Sequence, residues 1–133
     1  MKLSLIIPMY NEISIVCEAA ETFSRYMAEN FEDWELIFVD DGSADGCGEA
    51  FAEKYLTENV KLISYKPNRG KGYAVRRGML AAKGKIRLFC DCDLAYGTDA
   101  VLKMLTEMQK DDLDLLLVSR RKHADGYAGY SFS

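Results

Sequence analysis

Apolar residues along the chain fall into short continuous runs separated by stretches with helical spacing. The first run, Leu3-Ser4-Leu5-Ile6-Ile7-Pro8, is apolar at successive rather than alternate positions and stops at a proline, which predicts a strand buried on both faces. Asn11 is suited to capping a helix, and Ile13, Val16, Ala20, Phe23 and Met27 then recur at spacings of three and four. A second strand is predicted over 34–39, running into the turn chemistry of Asp40-Asp41-Gly42-Ser43-Ala44-Asp45-Gly46. A short helix over about 47–57, a third strand over 60–65, a loop over 66–72 and a small-residue helix over 73–82, ended by Gly84, follow. A fourth strand over 85–90 reaches Asp91-Cys92-Asp93, then a helix over about 98–110 and a fifth strand over 113–119. Residues 1–120 read as one domain, and 121–133, without clear periodicity, as a loop or disordered tail.

Continuous apolar strands alternating with helices predict an α/β fold, a three-layer α/β/α arrangement around a mostly parallel, Rossmann-like sheet. In such sheets ligands sit beyond the carboxyl ends of the strands, where strand order reverses. Composition agrees with one globular unit: 133 residues, 49% hydrophobic and 29% charged. Seventeen basic residues against 21 acidic give a net charge of −4, which disfavours nonspecific nucleic-acid binding through a broad basic face. No apolar run approaches the roughly 20 residues that span a bilayer, and the start lacks a signal-peptide core. Cys17, Cys47, Cys90 and Cys92 therefore read as reduced thiols of a cytoplasmic protein. Zinc is disfavoured, because Cys90 and Cys92 form C-x-C rather than C-x2-C and the one histidine is His123.

The chemistry gathers where the strands end. Strand one leads into Met9-Tyr10-Asn11-Glu12, strand two into Asp40-Asp41-Gly42-Ser43, strand four into Asp91-Cys92-Asp93 and strand five into Ser119-Arg120-Arg121. In extended chain Asp91 and Asp93 point to one side and Cys90 and Cys92 to the other. Two hard carboxylates there suit Mg²⁺ or Mn²⁺, although an acidic turn that merely caps the next helix has the same pattern. Asp40 and Asp41 read either as a plain turn or as acceptors for a base N–H or a ribose hydroxyl. Tyr10 could stack on a base or simply pack, and Glu12 could neutralise a helix start. Asn68-Arg69-Gly70-Lys71-Gly72 offers cations and backbone amides to a diphosphate. Neither G-x-G-x-x-G after strand one nor a P-loop is present, and His123 in the tail gives a Ser-His-Asp triad little support.

Pro8-Met9-Tyr10-Asn11-Glu12, Val39-Asp40-Asp41-Gly42-Ser43, Asn68-Arg69-Gly70-Lys71-Gly72 and Asp91-Cys92-Asp93-Leu94, in this order, resemble the family 2 glycosyltransferases of the GT-A fold. The Asp91–Tyr96 stretch is most similar to dolichyl- or polyprenyl-phosphate glucosyl- and mannosyltransferases, whose usual form has alanine at the position of Cys92. The resemblance implies that Pro8, Tyr10, Glu12, Val39 and Asp41 hold the nucleoside, with Lys71 and Cys92 also at the nucleotide. It implies that Asp91 and Asp93 serve catalysis as ligands of Mg²⁺ or Mn²⁺ at the diphosphate, Asp93 most directly, and that Arg120 faces the diphosphate or the acceptor. The activity implied is metal-dependent, inverting transfer from a UDP- or GDP-linked sugar to an acceptor such as a polyprenyl phosphate. Membrane association would then come through the acceptor or through further chain, since family members extend beyond the length seen here and this chain resembles their donor-binding portion. A non-catalytic nucleotide-binding module and a phospho-accepting receiver domain are the alternatives. The second requires its acidic pair after strand one rather than strand two.

Overall fold

A computed structural model describes residues 2–93. Four strands, β1 (Leu3–Met9), β2 (Trp34–Asp41), β3 (Val60–Tyr65) and β4 (Ile86–Phe89), alternate with helices α1 (Val16–Asn30), α2 (Cys47–Lys54) and α3 (Lys71–Ala81). All strand pairs are parallel and the sheet order is β3-β2-β1-β4. The expected α/β/α layering is present. Leu5, Ile7, Leu36, Phe38 and Leu88 face a core built with Phe23 of α1 and Phe51 of α2. Ile6, Ile37, Val39 and Phe89 face Ala74 of α3 and Ala82 beyond it. Every residue of β1 and β2 is buried, which is why both read as unbroken apolar runs. The order 3-2-1-4 also removes the receiver-domain alternative, whose doubly wound order is 2-1-3-4-5.

Several local expectations change. Pro8 does not stop β1, which continues to Met9. Even-numbered residues of β1 turn their backbone groups toward β4, as Ile6 does in accepting from the Cys90 N–H at 3.1 Å. The pairing with β4 ends at Ile6↔Phe89, so the N–H that Pro8 lacks would have met no strand. Asn11 does not cap α1. It lies at φ 53°, and the Glu12 carbonyl starts the helix by accepting from Ile15 at 3.0 Å and Val16 at 2.8 Å. Asp40 and Asp41 belong to β2 rather than to the turn after it. α3 begins at Lys71, with the Gly70 carbonyl accepting from Ala74 at 3.1 Å. The helix near 98–110, the fifth strand, the domain limit at 120, the tail and Arg120 lie outside the described residues.

Two features anchor α3 and β4 to the sheet. Gly78 brings α3 against β1: a Cβ there would stand 2.4 Å from Ile6 Cγ2. At the amino end of the sheet, Glu35 is buried yet charged. Its Oε1 accepts from Lys61 Nζ at 2.8 Å, and its Oε2 accepts from Ser4 Oγ at 2.5 Å and the Lys83 N–H at 2.6 Å. The Gly84 N–H in turn donates to Ser4 Oγ at 2.8 Å, so one network joins three strands to the α3–β4 connection. Gly84 is therefore a packing residue as well as a helix terminator, because a Cβ would lie 2.4 Å from Ser4 Oγ.

Burial pushes the Glu35 carboxyl up, but the hydrogen bonds from Lys61, Ser4 and Lys83 outweigh it and hold it at about 2, against an ordinary 4.5. A carboxyl depressed on folding contributes stability above its unfolded value and loses it as pH falls toward the folded one. A depression of this size corresponds to about 3 kcal/mol. Urea unfolding should therefore show wild-type stability falling between pH 4.5 and about 2. Glu35→Gln should cost about 3 kcal/mol at pH 7, because it leaves the network half-satisfied. That deficit should shrink toward pH 2; an equal deficit at pH 7 and pH 3 would exclude the network as its cause.

Candidate functional site

Strand order reverses at β1, which has β2 on one side and β4 on the other, so a crevice opens at the carboxyl ends of β1 and β4. A cavity of about 370 Å³ lies there. One wall is the end of β1 and its continuation, Pro8, Met9, Tyr10 and Glu12. The opposite wall is Asp91, Cys92 and Asp93. Asp41, Asn68, Gly70, Lys71 and Ala74 close the side toward β2 and α3.

Asp41 shapes that side. Its Oδ1 accepts from the Tyr65 hydroxyl at 2.7 Å and the Arg69 N–H at 2.9 Å. Its Oδ2 accepts from Asn68 Nδ2 at 2.7 Å and the Gly70 N–H at 2.9 Å. The four acceptor positions of a carboxylate are thus taken by the end of β3 and the loop that follows it. Burial and the Asp41 carboxylate push the Tyr65 hydroxyl up, keeping it a donor at neutral pH. Gly42 lets the turn after β2 meet this loop: it sits at φ 71°, and a Cβ would stand 2.4 Å from Asn68 N. Held this way, the loop delivers Lys71, the first residue of α3, to the cavity.

A second tie sets the β1 side. The Asn11 N–H donates to Ser43 Oγ at 2.9 Å and Asn11 Oδ1 accepts from the Ala44 N–H at 2.9 Å. Asp45 Oδ2 accepts from the Ile13 N–H at 2.9 Å and its Oδ1 from the Cys47 N–H at 3.0 Å. Asp40 turns inward, accepting from the Ser43 N–H at 3.1 Å, with its other oxygen where a Cβ on Gly48 would lie. The segments after β1 and β2 are therefore locked together, which fixes where Tyr10 and Glu12 stand. Tyr10 is 49% exposed, open to a flat partner.

The cavity is negative. Burial pushes the Glu12 carboxyl up, and the Asp93, Asp91 and Asp45 charges push it further. Lys71 Nζ is ion-paired with Asp91 Oδ1. Cys92 is buried, and burial together with the Glu12 and Asp93 charges raises its thiol. Cys47, whose Sγ donates to Ser43 Oγ at 3.1 Å, is likewise raised, mainly by burial. Both stay protonated at neutral pH and offer no nucleophile.

Of the residues singled out from the sequence, Pro8, Tyr10, Glu12, Asp41, Lys71, Asp91, Cys92 and Asp93 meet at this cavity. Val39 does not line it; it is buried against α3. Asp91 and Asp93 are not in extended chain, since Cys92 and Asp93 turn into a 3₁₀ conformation, yet both still face the cavity. Asp45, Asn11 and Tyr65 were not anticipated as supports. Asn11 had a visible signal, being an Asn among turn residues and so tolerant of positive φ. The pairing of Asp41 with Tyr65 and residues 68–70 had none, because it depends on β2 and β3 lying in register.

The family model described as glycosyl transferase family 2 matches residues 4–133, so the chain belongs to that family. The dolichyl-phosphate beta-glucosyltransferase of Dictyostelium discoideum is 32% identical over 134 residues, covering 92% of this chain and 41% of the relative. The dodecaprenyl-phosphate galacturonate synthase of Rhizobium johnstonii is 31% identical over 129 residues, covering 95% of this chain and 38% of the relative. Among solved structures, the mannosyltransferase PcManGT of Pyrobaculum calidifontis, in complex with GDP-Man and Mn²⁺, superposes with a TM-score of 0.59 at 25% identity. That match covers 68% of this chain and 27% of that one. The fold is that of GT-A glycosyltransferases, and the chain spans about two-fifths of the curated relatives' length.

Asp41→Asn should release the loop, since an amide cannot accept in place of the second carboxylate oxygen. We expect a loss of about 2 kcal/mol, the scale of charged hydrogen bonds to a partly buried group. In hydrogen exchange the Arg69 and Gly70 amides should lose protection while β3 amides that donate to β2, such as Ile63, keep theirs. Unchanged exchange at 69 and 70 would show that something else holds the loop.

Proposed function

We propose that this chain carries the donor site of a glycosyltransferase that moves a sugar from a nucleoside-diphosphate carrier to a polyprenyl-phosphate type of acceptor, with inversion and with divalent-metal assistance. The observation that carries the reading is the meeting of Asp91, Asp93 and Lys71 in the crevice at the strand-order reversal. Similarity to dolichyl- and dodecaprenyl-phosphate enzymes supports the acceptor class.

The donor chemistry of the crevice fits Mg²⁺ or Mn²⁺. Asp91 and Asp93 are hard oxygen donors, and the upward push on Glu12 from both their charges reports a negative field that a cation would relieve. Among the described residues no three His, Cys, Asp or Glu side chains form a ready-made metal cage. Two carboxylates with remaining positions for phosphate oxygens and water is how Mg²⁺ is commonly held. When bound, the metal would supply charge neutralisation for the departing diphosphate. The chain's own residues do the rest. Tyr10 offers an exposed ring to the base, the clamped 68–70 loop keeps backbone and Lys71 beside the phosphates, and Lys71 adds a positive charge toward the leaving group. A phosphate acceptor is already anionic and attacks the anomeric carbon without needing a base to remove a proton. Arg120 is proposed to meet the diphosphate or acceptor. The cytoplasmic side of a membrane is the proposed location, and residues 1–120 the proposed limits of the domain.

Calorimetric titration of UDP and GDP, each with and without Mn²⁺, tests the reading. One of them should bind at least tenfold more tightly with Mn²⁺, and Asp93→Ala should remove that enhancement. Binding of neither nucleotide to a folded chain would count against a donor site here.

A further inference from the structure

The chain's charge is segregated. Residues 59–90 hold nine of its 17 Lys and Arg and none of its 21 Asp and Glu. Two of the nine are ion-paired, Lys61 with Glu35 and Lys71 with Asp91. No other ion pair involves this stretch among the described residues. Arg69 and Arg77 lie over the Tyr73 ring at 5.2 and 5.8 Å, and Arg77 also over Tyr65 at 5.0 Å, so both guanidinium groups are steadied by rings rather than by carboxylates. Arg76 and Lys83 are exposed. Between them Leu80 is 71% exposed, the most exposed large apolar side chain described. Helical spacing puts Arg76 four residues before Leu80 on one outer stripe of α3, and exposed Lys83 follows just past the helix end, after Ala82 turns to extended backbone.

We propose that this outer face of α3 docks on an anionic lipid bilayer, with Leu80 reaching below the headgroups and Arg76, Lys83 and the ring-supported arginines resting on their phosphates. Charge complementarity selects an anionic surface. The exposed leucine among the cations selects a bilayer over a nucleic acid, because an apolar side chain gains by entering the headgroup boundary. The net charge of −4 works the same way: a long polyanion would also meet the acidic remainder of the chain, whereas a flat surface touches one face only. The position also fits. α3 is about 16 Å long and starts at the cavity with Lys71, so a bilayer along its outer face passes beside the site. An acceptor headgroup could then enter without its chain leaving the membrane. The proposal rests on the polyprenyl-phosphate reading for the reason a membrane lies there, but it is measurable without donor, acceptor or metal.

The experiment is co-sedimentation of the chain with vesicles of phosphatidylcholine alone and of phosphatidylcholine with 30 mol% phosphatidylglycerol. With each basic residue near an anionic surface contributing about 1 kcal/mol, the anionic vesicles should bind at least tenfold more strongly, and raised salt should weaken them. Arg76→Glu with Lys83→Glu should reduce that binding at least tenfold. Arg25→Glu with Lys54→Glu makes the same charge change on exposed residues of α1 and α2, across the sheet, and should change it less than threefold. Leu80→Ser should weaken binding with the charge unchanged. Each variant's folding is checked by its urea midpoint. No preference for anionic vesicles, equal losses from the two double variants, or no effect of Leu80→Ser together with equally tight binding to single-stranded RNA would overturn the proposal. Nucleotide titration of the same samples reads the donor site separately, so either reading can fail while the other stands.

Discussion

The Asp41 carboxylate is the interaction on which the candidate site depends. It stands at the end of β2 and collects four donors, two of them backbone amides, from the end of β3 and the loop that follows. A loop rich in Gly, Asn and charge has little apolar surface with which to hold itself in place, so its position must come from hydrogen bonds to a rigid element. β2 is such an element, fully buried and paired on both sides. The order reaches Lys71 because Gly70 is both the last residue bonded to Asp41 and the residue whose carbonyl opens α3. Without the clamp, the cation of the cavity would hang from a loose loop. A residue that looked like a ligand for a base is thus, in this structure, what builds the wall.

The two ends of the sheet solve opposite electrostatic problems. At the amino end Glu35 is buried and fully answered by Lys61, Ser4 and the Lys83 amide, so its charge stabilises the fold. At the carboxyl end Glu12, Asp91 and Asp93 crowd together with Lys71 as the nearby cation, and Glu12 is pushed up rather than down. Carboxylates that repel each other in a concave site weaken the fold unless something positive arrives. The tension is tolerable because the strand order, the Asn11–Ser43 tie and the Asp41 clamp hold the walls apart from the chemistry they present.

Which parts were legible in the sequence follows from the range of the forces involved. Strands β1 and β2 were readable because burial on both faces of a parallel strand writes itself as a nearly continuous apolar run. The meeting of Tyr10, Glu12, Asp91 and Asp93 was readable because topology alone brings strand ends to one rim. The start of α1 was not. Asn11 satisfies every local rule for a cap, but its side chain is drawn 33 residues away, to the Ala44 amide. The role of Asp41 was hidden for the same reason, since its partners lie 24 to 29 residues on and are selected by register. Val39 was assigned to the nucleotide by its place in a motif, whereas the pleat turns it toward α3.

Net charge was the least informative number in the sequence. A total of −4 describes neither the crevice, which is strongly negative, nor residues 59–90, which contain no acid at all. The two regions meet at Lys71, which belongs by sequence to the basic stretch and by contact to the acidic site. An anionic donor approaching the crevice would be repelled by Glu12, Asp91 and Asp93 and attracted by the cations lining the approach along α3. Without a counter-cation the carboxylates dominate at close range, because Glu12, Asp91 and Asp93 line the cavity itself while Lys71 is the one basic residue among its described lining. A divalent ion on the carboxylates would reverse that balance, while the basic face draws anions toward it from further out. The glycine-basic loop that Asp41 fixes is where the long-range attraction is handed to the short-range site.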